Sequence, residues 1–175
     1  YGCIIVASAG NGGDDGNTDF GMHYPSGLNH VISVTATGPG DNFGCWATAG
    51  ETVDLCAPGE SVYSTSLGGG YGSNWGTSFS SPITAGAVAL LWSKFPTADQ
   101  QWVEERIITS TDEFSDMTGS CQGTSLVGML GSGRLNINKA LTAGIFPSLS
   151  IQDVNYQNDT DGDGVFNPGE QVKVK

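Results

Sequence analysis

The sequence predicts an α/β protein in which a mostly parallel sheet is layered against helices. Two observations carry that expectation. Residues 3–9 form a nearly continuous apolar run, and 30–36 and 52–57 repeat that style with a few polar residues among the apolar ones, which is how a strand reads when both its faces are covered. From Ser78 onward the pattern changes to that of helices, with apolar residues recurring at helical spacing. Strands followed by helices give layers of the two.

Taken in order, the first run (Cys3-Ile-Ile-Val-Ala-Ser-Ala9) ends in Gly10-Asn11-Gly12-Gly13, a strand closing in a turn. HVISVTA at 30–36 and TVDLCA at 52–57 repeat the style, and the segments between them are polar and rich in glycine. Over 78–95 Ile83, Val88, Leu91 and Trp92 stand among small residues, with Pro82 early enough for the first turns of a helix. Pro96 ends that helix. Thr97 and Gln100 have the spacing of a capping box, and Trp102, Val103 and Ile107 supply the apolar stripe of a second helix to about Thr109.

After Gly144 the character changes again. SLSIQDV at 148–154 and the segment 171–175 alternate like half-buried strands. The expected organisation is therefore a first domain over 1–146 and the beginning of a β-type domain over 147–175, the latter with too few strands to stand alone.

Composition narrows the function classes. Eighteen acidic against six basic residues leave a net charge of −12, which repels phosphate backbones and anionic lipid, so nucleic acid is not an expected partner. The longest nearly apolar stretch, 83–92, is too short to span a bilayer. No signal peptide is expected at Tyr1, which leads straight into a strand-like run, the expectation being that the start is missing or processed. The 27 glycines cluster with Ser, Asn and Asp between the apolar runs, as tight turns require. Four cysteines, Cys3, Cys45, Cys56 and Cys121, show no C-x-x-C pair. Two readings stay open for them: disulfides in an oxidising compartment, or buried free thiols at Cys3 and Cys56.

Gly76-Thr77-Ser78-Phe79-Ser80-Ser81-Pro82, with Gly86 and Ala89-Leu90-Leu91 behind it, places a serine at the mouth of a helix. There its Oγ lies near the positive end of the helix dipole and near unsatisfied backbone N–H groups, where developing negative charge is stabilised. The segment resembles the nucleophile signature of the subtilisin-like serine proteases, whose usual form has Ala where Ser80 stands. Ala7-Ser8-Ala9-Gly10-Asn11 resembles the family segment that presents the oxyanion-hole asparagine. Tyr24-Pro25-Ser26, Val31 to Ala36, Asp54 to Gly59 and Gly131 to Asn136 follow in the family's order.

The resemblance covers about residues 1–146. It implies a three-layer subtilisin-like fold with a mostly parallel sheet, of which this is the C-terminal part, followed by the start of a β-sandwich-like domain. It further implies a secreted serine endopeptidase acting on protein or peptide substrates, with Ser78 as nucleophile and Asn11 as oxyanion donor. Related sedolisin-type peptidases carry aspartate where Asn11 stands. An α/β-hydrolase is disfavoured because the second glycine of its nucleophile elbow is missing.

A serine needs a base and an orienting acid, and in the family both precede the Asn11 segment. His23 and His30 follow it, so the resemblance places the catalytic His and Asp upstream of this chain and makes activity depend on that upstream half. The alternative is an inactive module that keeps the fold for binding or adhesion. His30 reads as a surface loop residue. Met22 and His23 precede Tyr24-Pro25, where the family builds the base of the pocket for the side chain before the cut. No acidic residue stands at either spot, which implies a preference for apolar or aromatic side chains, although Asp14, Asp15 and Asp19 are near in sequence.

Beyond the protease-like region, Asp159-Thr-Asp161-Gly-Asp163-Gly164-Val165-Phe166-Asn167-Pro-Gly-Glu170 fits the loop pattern D-x-D-x-D-G-x-x-x-x-x-E. Asp159, Asp161, Asp163, the Val165 carbonyl, Asn167 and Glu170 are the expected ligands of one structural Ca²⁺, with Gly164 making the sharp turn. The flanks read as strands, so the expectation is a calcium loop opening a β-domain rather than an EF-hand.

Overall fold

The computed structural model describes residues 2–12 and 18–142. The chain divides into a compact unit over Tyr1–Ala143 and a second over Gly144–Lys175. The calcium-loop motif with its ligands Asp159 to Glu170, the strands expected at 148–154 and 171–175, and Asp14 and Asp15 all lie outside the described residues.

The expected class is observed. β1 (Ile5–Ser8), β2 (Val31–Thr37) and β3 (Leu55–Pro58) form a parallel sheet in the order β1-β2-β3, with Ile5 opposite Val31 and Val34 opposite Leu55. The 18-residue helix α1 (Thr77–Lys94) packs on all three strands, and α2 (Gln100–Thr109) packs on α1. Between β3 and α1 lies an antiparallel hairpin, β4 (Val62–Ser66) and β5 (Gly70–Asn74). A short pair, β6 (Ser120–Cys121) and β7 (Thr124–Ser125), and a last helix, α3 (Ile137–Thr142), complete the described unit.

The unbroken apolar run of β3 has a physical reason in two cores. Leu55 and Ala57 face a cluster with Ile32, Val34, Val88, Leu91, Val103 and Ile107, the layer under the helices. Cys56, between them, joins Ala36, Phe43, Ala47, Ala49, Leu126 and Leu130 on the other side. Successive side chains of a strand point to opposite faces, so a strand covered on both sides cannot alternate. β2 is likewise buried along its length. β1 departs from the expectation of burial on both faces: Ile5 is 51% exposed and the remaining residues are half-buried. Among the described strands it pairs with β2 alone, at the edge of the sheet.

The start of α2 also differs. The cap is Asp99, whose Oδ1 accepts from the Trp102 N–H at 2.8 Å, and not Thr97. A turn closed by Ala98 N–H to the Phe95 carbonyl precedes the helix, which puts Thr97 too early to cap it. Gln100, the other half of the expected box, instead donates to Glu104.

The closing segment runs beside β3. Cys56 N–H donates to Gly133 O and Leu135 N–H to Cys56 O, at 2.8 and 2.7 Å. Gly133 has φ +126, and an added Cβ would overlap the Asp112 carbonyl, so only glycine serves there. Asn136, then Arg134, hydrogen-bond the Asp112 carboxyl and hold it below the usual carboxylate range. Cys45 and Cys121 form a disulfide. Cys56 is a buried free thiol, as one reading had it, whereas Cys3 is free but exposed because it lies ahead of β1.

Candidate active site

Ser78 is the second residue of α1 and is exposed. The chain enters the helix through Gly76, whose φ of +140° and ψ of 149° are open only to glycine. Gly76 N–H donates to Gly59 O at 2.8 Å, which fixes the entry against the end of β3. A parallel sheet with a crossover helix puts strand C-terminal ends and helix N-termini on one edge. Ser78 and the end of β1 therefore meet although 67 residues separate Ser78 from Asn11.

At that edge the Asn11 Oδ1 accepts from the Thr77 backbone N–H and from the Thr77 hydroxyl, both at 2.9 Å. A backbone N–H can only donate, so the amide orientation is fixed by its partner, and Nδ2 is a donor without a partner among the described residues. A Cβ built on Gly76 would lie 3.3 Å from Asn11 Nδ2 and 3.8 Å from the Ser78 N. Two donors thus border the same small space above Gly76. Gly10 supports this arrangement: its φ is +126°, its N–H donates to Thr77 Oγ1 at 3.3 Å, and its carbonyl accepts from Thr48 N–H.

Two hydroxyls tie the helix to the sheet behind the site. Ser80 is fully buried, and its Oγ donates to the Ala57 carbonyl at 3.0 Å. Ser81 Oγ reaches Val6 O at 3.3 Å. Ser78 itself has no hydrogen-bond partner on its hydroxyl among the described residues.

The two histidines separate. His30 is exposed in the turn before β2, with φ +64°. His23 Nε2 meets Asp19 Oδ2 at 2.7 Å, and its ring lies 3.5 Å from the Cβ position of Gly10. Met22 is 53% exposed beside it. The Gly21 backbone N–H, then the His23 side chain, lower the Asp19 pKa below its ordinary value. The carboxylate of Asp19, four residues earlier in the chain, therefore stands beside His23, where the sequence reading found none at the two pocket positions. Sequence reasoning also missed Thr77 as the clamp on Asn11, and the Trp46–Trp75 pair. The first has no signal beyond a hydroxyl beside Ser78; the second joins residues far apart in the chain.

Among the described residues, no group of three or more His, Cys, Asp or Glu side chains is placed to hold a metal ion, and no helix is long and apolar enough to cross a membrane.

Comparison with known proteins gives a family match over residues 1–160 to the subtilase family of peptidases. The chain belongs to the subtilase family. It is 37% identical to subtilisin DY of Bacillus licheniformis over 115 residues, which are 66% of this chain and 42% of that one. To subtilisin of Bacillus pumilus it is 34% identical over 139 residues, 79% of this chain and 46% of the other. Solved structures agree. The patellamide maturation protease superposes with a TM-score of 0.65 at 30% identity, over 79% of this chain and 51% of that one. A protease of Pseudoalteromonas arctica gives 0.65 at 25%, over 80% and 42%. This subtilase chain spans under half the length of the two subtilisins it matches.

Proposed function

We propose that this chain is the nucleophile-bearing part of a serine endopeptidase, with its base and orienting acid supplied from the upstream half of the full-length protein. Ser78 Oγ attacks the carbonyl carbon of the scissile peptide bond while its proton passes to the histidine base. The carbonyl oxygen becomes an oxyanion between Asn11 Nδ2 and the Ser78 N–H. The intermediate collapses, the C–N bond breaks, and the amine leaves with the proton from the histidine. Water then releases the acyl group by the same steps in reverse.

One observation carries this reading: Asn11 Nδ2 and the Ser78 backbone N–H border a single space above Gly76, at the positive end of an 18-residue helix. Donors held in place before reaction stabilise charge without reorganising. An inactive module would have no use for an asparagine clamped by two hydrogen bonds beside an exposed serine. A fluorophosphonate probe tests the reading on the full-length protein. Labelling that maps to Ser78 and disappears in Ser78→Ala is expected; labelling that survives the substitution overturns the assignment.

Secretion belongs to the same proposal, supported by the Cys45–Cys121 disulfide, since such crosslinks persist in oxidising compartments. So does a division of the chain near residue 146 and a structural Ca²⁺ bound by Asp159, Asp161, Asp163, Val165, Asn167 and Glu170. All the donors of that loop are oxygens, five of them side chains of Asp, Asn or Glu, the set that a hard divalent cation takes. When bound, the ion would neutralise carboxylates that otherwise repel one another.

A further inference from the structure

A cavity of about 420 Å³ lies beside the run that leads to Ser78, lined by Trp46, Glu60, Ser61, Ser73, Asn74 and Trp75. Trp75 stands three residues ahead of Ser78, so their Cα atoms are within about 11 Å of each other, the reach of roughly three extended peptide residues. Trp75 is 60% exposed. Its ring meets that of Trp46 edge to face, with centroids 4.9 Å apart and planes at 67°. That contact steadies both indoles and leaves an aromatic wall open beside the serine.

An aromatic wall alone would accept any apolar side chain. Glu60 narrows the choice. It is half-buried on the same cavity and has no hydrogen bond or ion pair among the described residues. The described cations are engaged elsewhere: Arg134 with Asp41 and Asp112, Lys139 with Asp112, Lys94 with Leu141 O, and Arg106 with Ala140 O. An apolar side chain entering here would further desolvate an unpaired carboxylate, which is unfavourable. A guanidinium satisfies both surfaces, because its plane stacks on an indole while its N–H fork meets a carboxylate. An ammonium would supply the charge without the stacking plane.

We propose that Trp46, Trp75 and Glu60 form a substrate subsite that selects an arginine side chain within three residues of the scissile bond. The proposal rests on Ser78 being a protease nucleophile. The test uses the full-length protein and peptides cleaved at one bond, with a single arginine, or its uncharged isostere citrulline, walked through the three positions on either side. One position should prefer arginine over citrulline at least tenfold in kcat/KM. In Glu60→Gln that ratio should fall to about one, and in Trp75→Leu it should fall severalfold, both variants showing native circular dichroism. Hydrolysis with equal rates for arginine and citrulline at every position, or a preference unchanged in Glu60→Gln, overturns the subsite and leaves the protease reading standing. Absence of any hydrolysis overturns both.

Discussion

Thr77 gives two hydrogen bonds to a single atom, the carboxamide oxygen of Asn11, one from its backbone and one from its hydroxyl. The consequence is a fixed amide: the oxygen is committed, and the nitrogen, without a partner among the described residues, is free for the proposed oxyanion role. Asn11→Ala in the full-length protein should therefore lower kcat with little change in KM. The expected loss is roughly 10²–10³, the range that removal of such a donor produces in subtilisin itself. Thr77→Val keeps the backbone bond and loses the hydroxyl's bond to Asn11, worth about 0.5–1.5 kcal/mol, together with its longer bond from the Gly10 N–H. A twofold to tenfold fall in kcat is expected, with KM unchanged and activity restored in Thr77→Ser. A change confined to KM would count against Thr77 as a positioning residue.

Ser80 stands where the family usually has alanine, and in this chain its hydroxyl is fully buried on the Ala57 carbonyl. Ser80→Ala removes a neutral hydroxyl shared between the Ala57 and Pro58 carbonyls of β3, so a loss of about 0.5–1.5 kcal/mol is expected. Chemical denaturation of the two proteins measures it. Equal midpoints would show that the family's alanine serves as well here.

Asp54 shows how burial sets a pH dependence. Its carboxyl is raised above the usual value mainly by desolvation, with the Ser33 N–H bond opposing and the Glu104 charge adding to the rise. The folded chain then holds this proton to higher pH than the unfolded one, so the stability it contributes is present in acid and lost as pH rises through the folded-state value. Asp54→Asn retains an oxygen for the Ser33 N–H and carries no charge. Its melting temperature should exceed that of the parent at pH 7, and the gap should close as pH falls through the carboxylate range. A gap that widens in acid reverses the sign and rejects the account.

How far the sequence reveals this site depends on which residues make it. The local settings of Ser78, Gly76 and Asn11 were legible because each belongs to a run whose conformation is dictated nearby, a glycine turn into a helix or a strand end. β2 and β3 were legible because strands buried on both sides cannot alternate. The hairpin β4–β5 was missed, since Val62 to Ser66 and Gly70 to Asn74 carry small polar residues and glycine over an exposed surface. The cap at Asp99 was missed by two positions because Thr97 offers the same chemistry in sequence and only the preceding turn decides between them. Contacts such as Asn11 with Thr77, or Trp46 with Trp75, are products of the sheet crossover and have no local signature.

The cysteines give a residue-by-residue expectation. Cys3 is exposed, Cys56 is buried with its Sγ donating to Leu130 O at 3.3 Å, and burial pushes the Cys56 thiol pKa up. A raised pKa suppresses the thiolate, which is the reacting form. Alkylation followed by peptide mapping should modify Cys3 in the native protein, Cys56 only after denaturation, and Cys45 and Cys121 only after reduction. Opening the Cys45–Cys121 link by Cys→Ser substitution should cost about 2–4 kcal/mol of stability, and native alkylation of Cys45 would deny the crosslink.

The proposed calcium loop makes a prediction independent of catalysis. Asp159, Asp161, Asp163 and Glu170 put four carboxylates within twelve residues of sequence, and a divalent cation that neutralises them would stabilise the form that binds it. Binding of this kind raises stability by roughly 2.7 kcal/mol when free ion is a hundredfold above Kd. Chelation should therefore lower the melting temperature of the full-length protein, and readdition of Ca²⁺ should restore it. Asp161→Ala combined with Glu170→Gln removes the carboxylates of two of the residues that would hold the ion. Calorimetry should show one calcium site lost in that double variant. Undiminished binding there, or none in the parent at millimolar calcium, would mean that the loop is a solvated acidic turn.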